Sequence, residues 1–151
     1  MKIKDLKIMV TGAASGMGRH FALSLCQEGA AVAALDMDQE GLARLKEEAG
    51  KPLYTYIADV SNEEQVVETV AQASKDLDGV NALVNNAGIF RDGLLVKVDK
   101  KTGEVKKLSL DKWQKVIDVD LTGPFLMTRE VAAQMVEKEI RPGVIVNISS
   151  V

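Results

Sequence analysis

Residues 11–18 read Thr11-Gly12-Ala13-Ala14-Ser15-Gly16-Met17-Gly18. Small residues in such a run let the backbone turn sharply and let a ligand approach the main chain itself. Where a helix begins at such a loop, its unpaired N–H groups and positive dipole end suit a pyrophosphate. A glycine triplet alone is equally a tight turn. Roughly twenty residues past the loop stands Asp36, a carboxylate that can accept from both hydroxyls of a ribose. Gly12, Ser15, Gly16, Met17 and Gly18, with Asp36 and Met37, therefore form a candidate dinucleotide site. The charge at Asp36 repels the extra phosphate of NADP, and Ser15 supplies no compensating cation, so NAD(H) is expected over NADP(H). Read alone, Asp36 is also compatible with a turn residue or a helix cap.

Such a site needs a strand before the loop, a helix after it and a second strand leading to Asp36. The chain offers all three. Ile8-Met9-Val10 marks a strand over residues 7–11, followed by a helix over about 16–28 that ends at Gly29. A second strand of small and branched apolar residues covers 31–35, with Asp36 just after it. Asp38 then caps a helix carrying Leu42 and Leu45, closed by Gly50 and Pro52. A third strand is expected over 53–58. Ser61-Asn62-Glu63-Glu64 reads as a capping box, with Val66, Val67, Val70 and Ala73 at helical spacing behind it. Strands over 81–84 and 144–148 complete the set. Between them, Val96 and Val98 on one side of Lys101-Thr102-Gly103 and Val105 on the other spell a hairpin. Its lysines fit either a solvated surface or an acidic partner. Strands alternating with helices predict an α/β fold, a Rossmann-type doubly wound parallel sheet of about five strands in the order 3-2-1-4-5, helices on both faces.

The bulk composition excludes several alternatives. With 151 residues, 46% hydrophobic and 27% charged, the chain is expected to form one domain over residues 1–151. Nineteen Lys and Arg against 22 Asp and Glu give a net charge of -3 and no reason to propose nucleic acid. Cys26 is the only cysteine and His20 the only histidine, which excludes an internal disulfide, a zinc site and a Ser-His-Asp triad. No metal is expected. Cys26 lies within the first helix and reads as a packed thiol. No apolar stretch reaches the length of a membrane span, and the N-terminus is unlike a signal peptide, so a cytoplasmic location is expected.

The spacing Gly12, Gly16, Gly18 resembles the glycine motif of the short-chain dehydrogenases/reductases, and four later segments agree in order and spacing. Asp59-Val60 resembles the family's adenine-contacting pair, and Asn85-Asn86-Ala87-Gly88 its sheet-stabilising motif. Leu121-Thr122-Gly123 is similar to the middle of its long fourth helix, and Asn147-Ile148-Ser149-Ser150 to the end of strand five. The resemblance adds Asp59, Val60, Asn86, Ala87 and Gly88 to the cofactor-binding set. Residues 85–95 are similar to those of 3-oxoacyl-acyl-carrier-protein reductases, although Phe90 stands where that group usually has Thr. Asp36 also departs from that group's common NADP preference.

By resemblance, the reaction is hydride exchange between the nicotinamide and a carbonyl or carbinol carbon, interconverting a ketone and a secondary alcohol. In that family a tyrosine, assisted by a lysine four residues on, handles the proton, since a free tyrosine titrates near about 10. Ser150 matches the serine that holds the substrate oxygen. Tyrosine and lysine have no match here, because Tyr54 and Tyr56 lie in the third strand without such a lysine. A parent chain continuing past Val151 is therefore expected, usually as a tetramer or dimer.

Asp120 stands where the family has an asparagine that holds a water relay. Helical spacing puts it on the face of Trp113, Val116, Ile117 and Pro124, so an inward carboxylate is expected. Pro124 has no N–H to offer the Asp120 carbonyl, which leaves that carbonyl open to a water or marks a simple kink. Phe90 and residues 94–98 either line a substrate wall or only pack the hairpin. Two readings stay open: a reductase of a carbonyl compound or acyl thioester, and a non-catalytic dinucleotide-binding protein. An NADH-sensing regulator has no sequence feature in its favour.

Overall fold

The computed structural model describes residues 1–50, 53–91 and 93–149. After a 3-10 turn at Ile3–Asp5, the chain runs β1 (Lys7–Thr11), α1 (Gly16–Gln27), β2 (Ala31–Asp36), α2 (Gln39–Ala49), β3 (Leu53–Ile57), α3 (Glu63–Asp76) and β4 (Ala82–Asn85). A hairpin of β5 (Val96–Val98) and β6 (Val105–Lys107) follows. Then come α4 (Leu110–Ile117), a π turn (Asp118–Thr122), α5 (Gly123–Glu137) and β7 (Val144–Asn147). Five strands pair in parallel in the order β3-β2-β1-β4-β7, the doubly wound arrangement that the sequence predicts.

The alternation of side chains along a strand explains why two helical layers are needed. Ile8 and Val10 of β1, Val32 and Ala34 of β2, and Ala82 and Val84 of β4 face one way, onto Ala22 and Leu23 of α1 and Leu42 and Leu45 of α2. Met9, Ala33, Leu35 and Leu83 face the other way, onto Val66 and Val70 of α3 and Met127 and Val131 of α5. Both faces being covered, the central strands are apolar between their ends, at residues 8–10, 31–35 and 82–84. Full burial of a side chain such as Met9, Leu35 or Leu83 contributes about 1.5–3 kcal/mol, so these layers hold the strand ends in fixed relation.

Polar contacts set the register of helices on the sheet. Gln134 of α5 accepts from the Val80 N–H at 3.2 Å and donates to the Val80 carbonyl at 3.0 Å, and the Ser74 hydroxyl donates to it. This buried amide ties α5 to the turn between α3 and β4. At the surface Arg129 joins α5 to Glu63 of α3 at 2.7 Å, and Arg19 joins α1 to Glu48 of α2.

Three local expectations change. The expected cap of α2 forms, Asp38 accepting from the Gly41 N–H at 3.0 Å, but α3 is capped by Asn62, which accepts from the Gln65 N–H at 3.1 Å. Ser61 is already engaged: its N–H and hydroxyl both donate to Asp59 Oδ1, at 2.9 and 2.7 Å. Secondly, Val67 is exposed while Val66, Val70 and Ala73 are buried. Thirdly, the helix carrying Asp120 is not continuous. In the π turn the Gly123 N–H donates to the Asp118 carbonyl five residues back, just ahead of Pro124, which has no N–H to give. The inserted residue breaks the α spacing used to face Asp120 inward. Asp120 is exposed, as is Trp113, and Val116, Ile117 and Pro124 are only half-buried.

The hairpin pairs Val96 with Lys107 and Val98 with Val105. Phe90 is 87% exposed, and Leu94, Leu95, Val96 and Val98 are also exposed, so none of them belongs to the buried core of the described residues. Pro52, expected to close α2, lies outside the described residues.

Candidate functional site

β2, β1 and β4 are neighbours in the sheet and run in one direction, so the segments leaving their C-terminal ends are brought side by side. The chain leaves β1 for one face of the sheet and β4 for the other, and a crevice opens where the two directions part. A cleft of about 380 Å³ lies there.

The glycine loop forms its middle. Gly12 has φ +65° and Gly16 φ +53°, left-handed values that favour glycine. A Cβ on Gly12 would sit 2.9 Å from the Ala87 Cα, whereas one on Gly16 would meet nothing within 4 Å. Gly16 therefore borders open space at the first turn of α1, where helical N–H groups have no intrahelical acceptor. Ser15, the N-cap, makes no side-chain capping bond. Gly18 plays a different part: a Cβ there would lie 2.1 Å from the Gly12 carbonyl oxygen. The structure places Gly18 under the loop, buried and outside the cleft, where only a hydrogen fits.

Asp36, the last residue of β2 and not the residue after it, closes one end. Its Oδ2 accepts from the Ala14 N–H at 2.9 Å and its Oδ1 from the Asp38 N–H at 3.0 Å. The Ala13 N–H donates to the Leu35 carbonyl at 3.0 Å, a second link between loop and strand. Each carboxylate oxygen retains acceptor capacity, because an ionised carboxylate offers about four lone-pair sites. Met17 and Met37, 61% and 65% exposed, flank this end. Asp59 and Val60 follow β3 at the same end. Asp59 is held by Ser61, and by its own N–H donating to Gln65 Oε1 at 2.8 Å.

The other end is built on Thr11, a residue the sequence reading did not single out. Its hydroxyl oxygen accepts from the N–H groups of both Asn86 and Ala87, at 3.0 and 2.9 Å. The Asn86 amide donates to the Thr11 carbonyl at 3.1 Å. Asn85 spans further: its amide donates to Asn147 Oδ1 at 2.8 Å and to Thr128 Oγ1 at 3.1 Å, linking β4, β7 and α5. Gly88, Ile89 and Val119 complete the wall, and Asp120 Oδ1 accepts from the Ile89 N–H at 2.9 Å.

Of the expected cofactor residues, Gly12, Ser15, Gly16, Met17, Asp36, Met37, Asp59, Val60, Asn86, Ala87 and Gly88 all line the cleft, and Gly18 does not. Asp120 stands behind its wall, and Ser150 lies outside the described residues. Leu35, Ala58, Ile89 and Val119 line it without having been expected. A larger groove of about 640 Å³ lies between α2 and α3 at the β3 edge, with no glycine loop among its residues. Cys26 is buried in α1, and burial pushes its thiol above the usual value, as for a packed thiol. Among the described residues no cluster of three or more His, Cys, Asp or Glu could hold a metal, and no helix is long and apolar enough to cross a membrane.

The family model described as short chain dehydrogenase matches residues 7–151. The chain belongs to the short-chain dehydrogenase family. It is 38% identical, over its whole length, to the 3-oxoacyl-acyl-carrier-protein reductase FabG of Thermotoga maritima, of which it covers 58%. It is 38% identical to nodulation protein G of Rhizobium sp. (strain N33), over 96% of this chain and 54% of that protein. The crystal structure of 3-ketoacyl-(acyl-carrier-protein) reductase from Brucella melitensis complexed with NADH superposes with a TM-score of 0.80 and 30% identity, over 95% of this chain and 56% of that one. This short-chain dehydrogenase chain thus spans little more than half the length of the proteins it matches.

Proposed function

We propose that this chain forms the NAD(H)-binding part of an oxidoreductase that interconverts a ketone and a secondary alcohol, with 3-oxoacyl thioesters as the first substrate class to test. The observation that carries the reading is the Asp36 carboxylate at the rim of the cleft, fixed by Ala14 and Asp38 with lone pairs to spare. The cleft fits a dinucleotide: open space over Gly16 at the start of α1 suits a pyrophosphate, and Asp36 suits a ribose diol. Asp36 also disfavours a 2′-phosphate, which supports NAD(H) over NADP(H). When bound, the nicotinamide would supply hydride exchange with a substrate carbon. The chain's own residues bind and orient: residues 12–17 hold phosphates, Asp36 and Met37 the adenosine end, Asp59 and Val60 the adenine. Residues 86–88 support the far end. Ser150 is proposed to donate a hydrogen bond to the substrate oxygen. The likeness to the Brucella reductase bound to NADH and to the Thermotoga FabG supports both cofactor and thioester class. A cytoplasmic homo-oligomer, a tetramer or dimer, completes the reading.

A second reading is a non-catalytic dinucleotide-binding protein: Tyr54 and Tyr56 lie on β3 outside the cleft, Tyr56 donating to Asp76 at 2.8 Å, so the described residues account for binding alone. The test uses the native gene product, titrated with NADH and NADPH and then assayed with a 3-oxoacyl thioester. The oxidoreductase reading expects tighter binding of NADH and NADH consumption with the thioester. Binding without turnover on any carbonyl compound supports the second reading, and no binding of either dinucleotide overturns both.

A further inference from the structure

Asp120 makes one hydrogen bond, from the Ile89 N–H at 2.9 Å, and no cation lies within ion-pair distance of it among the described residues. Its Oδ1 lies 3.5 Å from where a Cβ on Gly88 would be. Gly88, Ile89 and Val119 form the β4 end of the cleft, and Asp36 the β2 end, with the glycine loop of β1 between them. A carboxylate held at one oxygen by the Ile89 N–H, and without an ion-pair partner among the described residues, therefore stands behind the wall opposite Asp36.

We propose that Asp120 sets the protein's preference between the two oxidation states of its dinucleotide, holding NAD+ more tightly than NADH. The inference rests on the cofactor reading given above. With one ribose at Asp36 and the pyrophosphate at the start of α1, the remaining nucleoside falls at the β4 end. The oxidised nicotinamide ring carries a positive charge and the reduced ring none, while the rest of the molecule is the same. The ratio of the two affinities thus reads the electrostatic field at the ring. A negative charge behind Gly88 and Ile89 favours the oxidised form, and a couple held that way gives hydride to a ketone more readily than it takes hydride from an alcohol carbon. Asparagine at position 120 would keep an acceptor for the Ile89 N–H and remove the charge. Asp120 is therefore a positioning residue with an electrostatic effect, separable by one conservative substitution.

The experiment is calorimetric titration of the native gene product with NAD+ and with NADH, without substrate, for the wild type and Asp120→Asn. A single screened charge near the mouth of a cleft shifts such a ratio by about fivefold. The expected result is that Asp120→Asn lowers Kd(NADH)/Kd(NAD+) about fivefold, chiefly by weakening NAD+, and that about 0.5 M salt shrinks the difference. Glu137→Gln, an equal loss of charge on the exposed far end of α5, leaves the ratio unchanged. An unmoved ratio in Asp120→Asn, or an equal shift in Glu137→Gln, overturns the inference while the cofactor reading stands. A wild type that binds neither dinucleotide overturns both.

Discussion

The Ala14 N–H donates to the Asp36 carboxylate at 2.9 Å, so the residue that would hold the ribose also holds the loop that would hold the phosphates. The two halves of the cleft rim are one hydrogen-bonded unit. Asp36→Asn keeps an acceptor for Ala14 but removes the charge. Hydrogen bonds to a charged group are worth about 1.5–3 kcal/mol, so NADH affinity is expected to fall about tenfold or more. NADPH, no longer repelled, should lose little or gain. Fluorescence titration with both dinucleotides measures this, and an unchanged preference would remove Asp36 from the discriminating role.

Gly18 and Gly16, six and four residues after Gly12, call for opposite outcomes. A methyl at Gly18 would drive into the Gly12 carbonyl, while a methyl at Gly16 meets open space but carries the φ +53° penalty of about 1–2 kcal/mol. Gly18→Ala is expected to lose about 3 kcal/mol by overpacking and to melt well below the wild type. Gly16→Ala should stay folded, losing about 1 kcal/mol, yet bind NADH poorly because its Cβ occupies the cleft. Thermal melts with paired titrations separate the two, and normal NADH binding by Gly16→Ala contradicts the phosphate cradle.

Thr11 Oγ1 accepts from two N–H groups at a buried position. Thr11→Val keeps the shape and strands both donors, each worth about 1–3 kcal/mol when left unpaired. A fall in the urea midpoint is expected, with Thr11→Ser recovering most of it. Equal midpoints for Val and Ser would show that Asn86 and Ala87 find other acceptors.

Hydrogen bonds from Gln72 and then Tyr56 hold the Asp76 carboxyl below its usual range. A carboxylate whose folded-state pKa is depressed lends stability that is fully present above its unfolded value of about 4 and is lost as pH falls through the folded value. Burial first, and then the hydrogen bond to Asp76, push the Tyr56 phenol in the opposite direction, well above its usual range. Tyr56→Phe should therefore be less stable than the wild type at neutral pH, with the gap narrowing below about pH 4. Urea midpoints across that window are the measurement, and a constant gap would mean that the phenol acts by packing alone.

The sheet was legible because its physics is repetitive. Apolar residues such as 8–10, 32–35 and 82–84 need two covered faces, and the helices between them carry matching stripes. The cleft residues were legible because glycines and a lone carboxylate at strand ends have few other uses. Thr11 was harder to see: its task depends on β4 arriving beside β1, a contact between residues 75 apart in sequence. Gly18 looked like part of the ligand surface because a motif records that glycine is needed and not which side is crowded. Asp120 was misjudged because α spacing was carried through a segment that is π. The capping of α3 shifted by one residue because Asp59 competes for Ser61.

The π turn at Asp118–Thr122 is, in effect, one residue more than an α-helix requires, an insertion still visible in the backbone. Each residue of α-helix turns the chain by about 100°. Leu126, Met127 and Val131 keep their phase toward the core beyond the turn, while within it Asp120 is carried round to Ile89. A single-residue deletion in this turn would make the helix regular and cannot satisfy both ends. Either the core residues of α5 rotate out or the carboxylate leaves the wall of the cleft. Chain length at this point is thus itself a determinant of the site, as binding as the identity of any side chain in it.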